Sequence, residues 1–171
     1  MSAAAQFETP FPAEPLYCGE WPVEEGWIDY NRHMNIGYYG VAFDRGVDVV
    51  FDHWIDWGAD YVAREGMGPF ALQSQLHFLD ELKLGERFAI RMLLLDADAK
   101  RIHYCATMEN VSTGSLSAVC ETLSINVDLT ARRSAPLPER QGNRLQEMLA
   151  AHRDLERPAQ VGRPLGIRRG G

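Results

Sequence analysis

The stretch Trp27–Gly58, WIDYNRHMNIGYYGVAFDRGVDVVFDHWIDWG, carries two patterns in succession. From Tyr38 the apolar residues Tyr39, Phe43, Val47, Val50, Trp54 and Trp57 follow in steps of three and four, while Asp44, Arg45, Asp48, Asp52 and Asp56 fall on other faces. This spacing predicts an amphipathic helix of about five turns with a broad apolar stripe, stopped by Gly58. In the preceding part Asp29, Asn31, His33 and Asn35 alternate with Ile28, Tyr30, Arg32 and Met34. If that turn is extended, the four polar side chains project to one side. The helix is expected to begin at or just after Asn35, which sets the polar cluster beside unpaired N–H groups and the positive end of the helix dipole. Such a place suits a developing oxyanion.

Working outward, residues 1–15 read as a loose arm, rich in alanine and ending in Pro10, Pro12 and Pro15, and Leu16–Val23 as a first strand. Beyond the helix, Ala59–Arg64 forms a short helical piece before Gly66 and Gly68. Phe70–Leu79, Arg87–Asp96, Arg101–Val111 and Ser115–Val127 then have strand length or more, separated by Gly85, by residues 96–100 and by Ser112-Thr113-Gly114. Short turns between successive strands favour an antiparallel meander. A terminal helix is expected within 136–156, clearest from Leu145 to Leu155, and a disordered tail over 157–171. The predicted fold is α+β: one domain over 16–135, in which a curved antiparallel β-sheet wraps around a long central α-helix and the two layers bury each other.

Bulk properties narrow the function. The 171 residues are 46% hydrophobic and 24% charged, as in an ordinary globular chain of one domain. A net charge of −7 argues against a general nucleic-acid binder. Cys18, Cys105 and Cys120 are odd in number and widely spaced, so reduced buried thiols are expected rather than a disulfide framework or zinc site. No apolar run approaches about 20 residues, and the N-terminus lacks a signal-peptide pattern, so no membrane partner and a cytoplasmic location are expected. The five histidines show no HxH or HxxxH spacing, so no metal is expected.

Three motifs carry a resemblance to a known family: Asp29-x-x-x-His33-x-Asn35, Tyr39-x-x-x-Phe43-Asp44 on the helix after it, and Leu84-Gly85-Glu86 leading into long strands. With these, residues 16–130 resemble the hotdog-fold thioesterases of the 4-hydroxybenzoyl-CoA thioesterase-like superfamily. The pattern Trp27-x-Asp29-x-Asn31-x-His33-x-Asn35 is also similar to the active-site motif of plant acyl-carrier-protein thioesterases, in which the Asp, Asn and His are implicated in thioester hydrolysis. Taken with Asp98-x-Lys100-Arg101-Ile102-His103, the turn resembles the betainyl-CoA thioesterase type, apart from Arg32, where that group commonly has a small residue. The resemblance implies a hydrolase acting on betainyl-CoA or another small acyl-CoA. It implies no cofactor, CoA being part of the substrate, and a homodimer or homotetramer with sites at the subunit interface.

On this reading Asp29 is the nucleophile or the general base for water, unless it only caps the helix or fixes the turn. His33 can orient Asp29 or protonate the leaving thiolate, and Asn31 can hold His33 or the water. Asn35 is foremost a helix N-cap. By the superfamily's pattern the N–H near Ile36 or Gly37 polarises the carbonyl. Gln75 and His77 share a strand face and can contact substrate from a facing subunit. Glu81 is a second carboxylate or a plain surface turn, and Lys100-Arg101 either meets CoA phosphates or lies in a solvated turn, with His103 in the strand after it. Trp54, Trp57 and Tyr61 form a cation cage or core packing. The competing functions are a non-catalytic acyl-CoA-binding protein and a hotdog dehydratase.

Overall fold

The computed structural model describes residues 9–167. Strand β1 (Leu16–Pro22) leads through a single 3-10 turn at Glu25–Trp27 to helix α1 (Ile36–Val50). The helix runs into one π-helical turn, Phe51–Ile55, and is followed by a short helix, α2 (Ala59–Glu65). Strands β2 (Met67–Phe78), β3 (Arg87–Ala97), β4 (Arg101–Asn110) and β5 (Leu116–Asp128), the two-residue β6 (Arg133–Ser134) and helix α3 (Glu139–His152) complete the order. The sheet order is β1-β3-β4-β5-β2, with every pairing antiparallel and β6 beside β5. β2 thus lies at one edge.

Alternation along β3 explains the layers, since successive side chains point to opposite faces. Phe88, Ile90, Met92 and Leu94 join the main core with Tyr39, Ala42, Phe43, Val47 and Val50 of α1. Leu93 and Leu95, with Cys105 of β4, form a smaller cluster on the other face. Helix and sheet approach closely at Gly46, where an added Cβ would lie 2.9 Å from the Ile90 side chain. The curved antiparallel sheet packed around a central helix is the expected α+β arrangement.

The helix differs from expectation at its end. Its apolar spacing continues through Trp57, but the last turn widens to π, and Asp56 takes left-handed angles (φ 58°, ψ 51°). Asp56 is buried, with its carboxylate held by Arg64 at 2.8 Å and by Gln141 at 3.2 Å, while Gln141 also donates to its carbonyl. Gly58 has no room for a side chain, because a Cβ there would sit 1.7 Å from Asp52 Oδ1, which accepts the Ala59 N–H.

Both termini add contacts that side-chain periodicity did not announce. α3 begins at Glu139, upstream of the clear pattern, because buried Gln141 and Arg144 interrupt its apolar face. Arg144 donates to the carbonyls of Trp54 and Thr9 and lies over the Phe11 ring, and Phe11 stacks on Trp54, so Thr9 and Phe11 of the expected loose arm are tied to α3 and the π-helical turn. The expected disordered tail is likewise laid down as far as Arg163: Leu155 and Val161 cover Leu93, Leu95 and Cys105, the Gly162 N–H donates to Glu121, and Gln75 donates to the Arg163 carbonyl. Residues 1–8 and 168–171 of those expected segments lie outside the described residues.

His152, buried at the end of α3, accepts the Leu94 N–H through Nδ1 at 3.0 Å. Burial pushes its pKa below the ordinary 6.5. A histidine held neutral in the fold and free to protonate when unfolded contributes stability that is present above the unfolded pKa and lost as pH falls below it. Urea midpoints are therefore expected to drop between pH 7.5 and pH 5.5, with a shallower drop in His152→Gln.

Candidate active site

The polar stretch closes on itself rather than running extended. Ile28 bridges Met34, the Asp29 N–H donates to the His33 carbonyl, and the Arg32 N–H returns to the Asp29 carbonyl. Asp29 Oδ1 accepts the Asn31 N–H at 2.7 Å, an Asx turn. Arg32 carries the reversal with φ 67°, a left-handed conformation that costs an L-residue about 1–2 kcal/mol and that glycine adopts freely. The loop is spliced to its surroundings by the Asn35 N–H on the Trp27 carbonyl and the Met34 N–H on the Leu82 carbonyl.

This closure sets Asp29 opposite His33, with Nε2 3.7 Å from Asp29 Oδ1 and Nδ1 3.6 Å from Glu81 Oε2. These are ion-pair separations, longer than hydrogen bonds. Asn31 sits exposed at the tip and meets Asp29 through its backbone. Asn35 is the N-cap of α1, accepting the Gly37 N–H at 3.0 Å. The Gly37 amide is thereby taken up, and Ile36 occupies the first helical position, where N–H groups have no intrahelical partner.

A cavity of about 460 Å3 opens here, lined by Asp29, Asn31, His33, Asn35 and Ile36 together with Tyr39, Phe78, Asp80 and Glu81. Tyr39 is buried and meets the Phe78 ring edge to face, with centroids 5.1 Å apart. Burial raises its phenol pKa above the ordinary value. Three carboxylates and three aromatic rings, those of Tyr30, Tyr39 and Phe78, therefore share the cavity wall with one imidazole. Arg32 is not part of the lining.

The remaining candidates lie elsewhere. Gln75 lines a second cavity, of about 480 Å3, between the sheet and the C-terminal segment, and His77 is its hydrogen-bond partner. Within one chain neither is brought to Asp29. His103 is engaged by Glu121 at 2.7 Å, and the Arg101 guanidinium is held by Asp98 through two hydrogen bonds. That pairing and two backbone N–H groups lower the Asp98 pKa to about 2. Trp57 and Tyr61 both donate to buried Asn126, and Trp54 stacks on Phe11, so the three rings are core and form no cage. Tyr39, Phe78 and Asp80 were not singled out as site residues in the sequence. The aromatic end of β2 running straight into an acidic pair was the available signal. Among the described residues no group of three or more His, Cys, Asp or Glu is disposed to hold a metal ion.

Comparison with known proteins gives this geometry its family. The model of the thioesterase-like superfamily matches residues 23–149, and the chain belongs to that superfamily. A betainyl-CoA thioesterase of Pseudomonas aeruginosa is 34% identical over 150 residues, covering 86% of this chain and 92% of its own. An L-carnitine dehydrogenase/betainyl-CoA thioesterase of Rhizobium meliloti is 29% identical over 91% of this chain, which spans 31% of that longer protein. Among solved structures, a Staphylococcus aureus protein in complex with CoA superposes with a TM-score of 0.83 at 22% identity, covering 94% of this chain and all of that one. A 1,4-dihydroxy-2-naphthoyl-CoA thioesterase of Synechocystis shares the fold with a TM-score of 0.63 at 17% identity over 82% of this chain and 97% of its own.

Proposed function

We propose that this chain is an acyl-CoA thioesterase whose acyl group is small and carries a quaternary ammonium, as in betainyl-CoA. The observation that carries the reading is the Asp29–His33 pair at the start of α1, inside a cavity walled by Tyr39, Phe78, Asp80 and Glu81. Aromatic faces and carboxylates favour a cationic trimethylammonium and disfavour an anionic acyl chain. The betainyl-CoA thioesterase of Pseudomonas aeruginosa supports the same substrate.

Asp29 acts on the thioester carbon. By the water route its carboxylate takes a proton from water as the oxygen bonds the carbonyl carbon, and passes it across the short gap to Nε2 of His33. His33 then protonates the departing sulfur as the C–S bond breaks. By direct attack Asp29 forms an acyl anhydride as the C–S bond breaks and the thiolate departs. Water then adds at the Asp29 carbonyl, giving one proton to His33, which passes it to the thiolate, and the acyl group leaves as its carboxylate while Asp29 loses its remaining proton to solvent. In both routes the start of α1, with the Ile36 amide, stabilises the oxyanion, and Asn31 steadies the turn. The groups named supply acid, base and electrophile, so the reaction calls for no cofactor.

A homodimer completes the assembly. β2 is a twelve-residue edge strand with Phe70, Leu72, Phe78 and neighbouring Leu79 substantially exposed, and such an edge invites pairing with a second copy. Gln75 and His77, on that strand, would then lie beside the partner. The three buried free cysteines fit a reducing cytoplasmic setting.

The substrate is tested with betainyl-CoA beside 3,3-dimethylbutanoyl-CoA, in which carbon replaces the nitrogen at nearly unchanged shape. A kcat/KM about tenfold higher for the cation is expected. Equal values would remove the cation from the reading while leaving hydrolysis intact.

A further inference from the structure

We propose that Glu81 is a positioning residue for His33, holding the Nδ1–H side of the ring so that Nε2 is presented to Asp29 and the cavity. This rests on the hydrolase reading above. The imidazole has a carboxylate near each nitrogen, at 3.6 and 3.7 Å, and a neutral ring carries a single N–H, so as a small side-chain rotation closes these gaps it can donate to only one of them. Donation to Glu81 fixes the tautomer that leaves Nε2 free to receive a proton from Asp29 and deliver it to sulfur. Donation to Asp29 instead would tie up the base.

The geometry makes Glu81 suited to this task, because its loop is fixed on both sides. Its other oxygen, Oε1, is taken by Lys83 Nζ at 2.7 Å, which leaves Oε2 for the ring. Its own N–H donates to Asp80 Oδ1, and Asp80 Oδ2 accepts the Ser115 hydroxyl at 2.7 Å. Leu82 is fully buried, and its carbonyl receives the Met34 N–H at 2.7 Å, so the loop carrying Glu81 is locked in register with the turn carrying His33. Glu86 closes the loop by accepting the Lys83 N–H.

The test uses the full chain labelled with 15N-histidine, in which long-range correlations report the nitrogen of His33 that carries the proton, beside steady-state kinetics on betainyl-CoA. Wild type is expected to protonate Nδ1. Glu81→Ala is expected to move the proton to Nε2 and to lower kcat about 10- to 100-fold with KM changed by less than about threefold. Glu81→Gln, whose amide oxygen still accepts, is expected to keep the Nδ1 proton and recover much of kcat. Lys83→Met, which frees Oε1, is expected to give a smaller change in the same direction as Glu81→Ala. An unchanged ring proton with unchanged kcat in Glu81→Ala overturns the proposal, as does equal loss in both Glu81 variants with the ring unaltered. If wild type cleaves no thioester, the hydrolase reading fails, and the spectroscopic arm still decides whether Glu81 sets the tautomer.

Discussion

Asp29→Asn is expected to lower kcat by about 10^3-fold or more while leaving KM and the thermal midpoint close to wild type. The separation of effects follows from what each atom does. Oδ1 of Asp29 accepts the Asn31 N–H and so shapes the turn, a task the asparagine oxygen keeps. What asparagine lacks is the negative charge and basicity needed to attack the carbonyl or deprotonate water. Asp29→Ala removes both functions and is expected to lose stability as well, so the comparison of the two variants separates the turn from the chemistry. Thiol release under saturating betainyl-CoA, with a parallel thermal melt, is the measurement. A kcat within tenfold of wild type for Asp29→Asn would move the base or nucleophile elsewhere. Single turnover in 18O-water, followed by mass analysis of the Asp29 peptide, then separates the two routes, because only direct attack leaves label in the carboxylate.

Leu72→Lys is expected to convert a homodimer into a monomer of the 19.3 kDa chain mass and to abolish most of the activity. Leu72 is 54% exposed on the edge strand, at the irregularity in register between Ala71 and Gln73. A lysine there adds no strain to the single chain, since the side chain already faces water, but it sets a charge in what would become an apolar seam. The loss of activity follows from the end of the same strand: Phe78 and Leu79 line the cavity beside Asp29, so opening the seam lets water into the site. Light scattering coupled to gel filtration, with kcat/KM on the same samples, checks both parts. A wild-type chain that runs as an active monomer would overturn the dimer.

The elements that the sequence announced are those whose periodicity matches their surroundings. Tyr39, Phe43, Val47 and Val50 fall on one α-helical face, and the long strands alternate between a face on α1 and a face away from it. The end of the helix was hidden because Trp54 and Trp57 keep the same spacing while the backbone has already left the α-helix. The cause lies in Arg64 and Gln141, distant partners of Asp56. The start of α3 was hidden by polar groups that are buried, and the C-terminal segment by contacts made through backbone atoms of Gly162 and Arg163, which leave no side-chain pattern. In the site, the pairing of Asp29 with His33 was legible because it is local to one turn. Glu81 was legible only as one of two alternatives, a second carboxylate or a plain surface turn, because its place beside His33 depends on contacts such as the backbone bond between Met34 and Leu82, far apart in the chain.

The segment that crosses the back of the sheet also covers apolar surface that would otherwise face water. Leu155 and Val161 occupy the strip over Leu93, Leu95 and Cys105, and Glu121 and Gln75 fasten the backbone beyond it. A flat stack of sheets, back against back, would have to peel this segment away first. The same segment thus closes a strip of the sheet's back to other apolar surfaces and leaves β1 and β2 as the edges of the sheet.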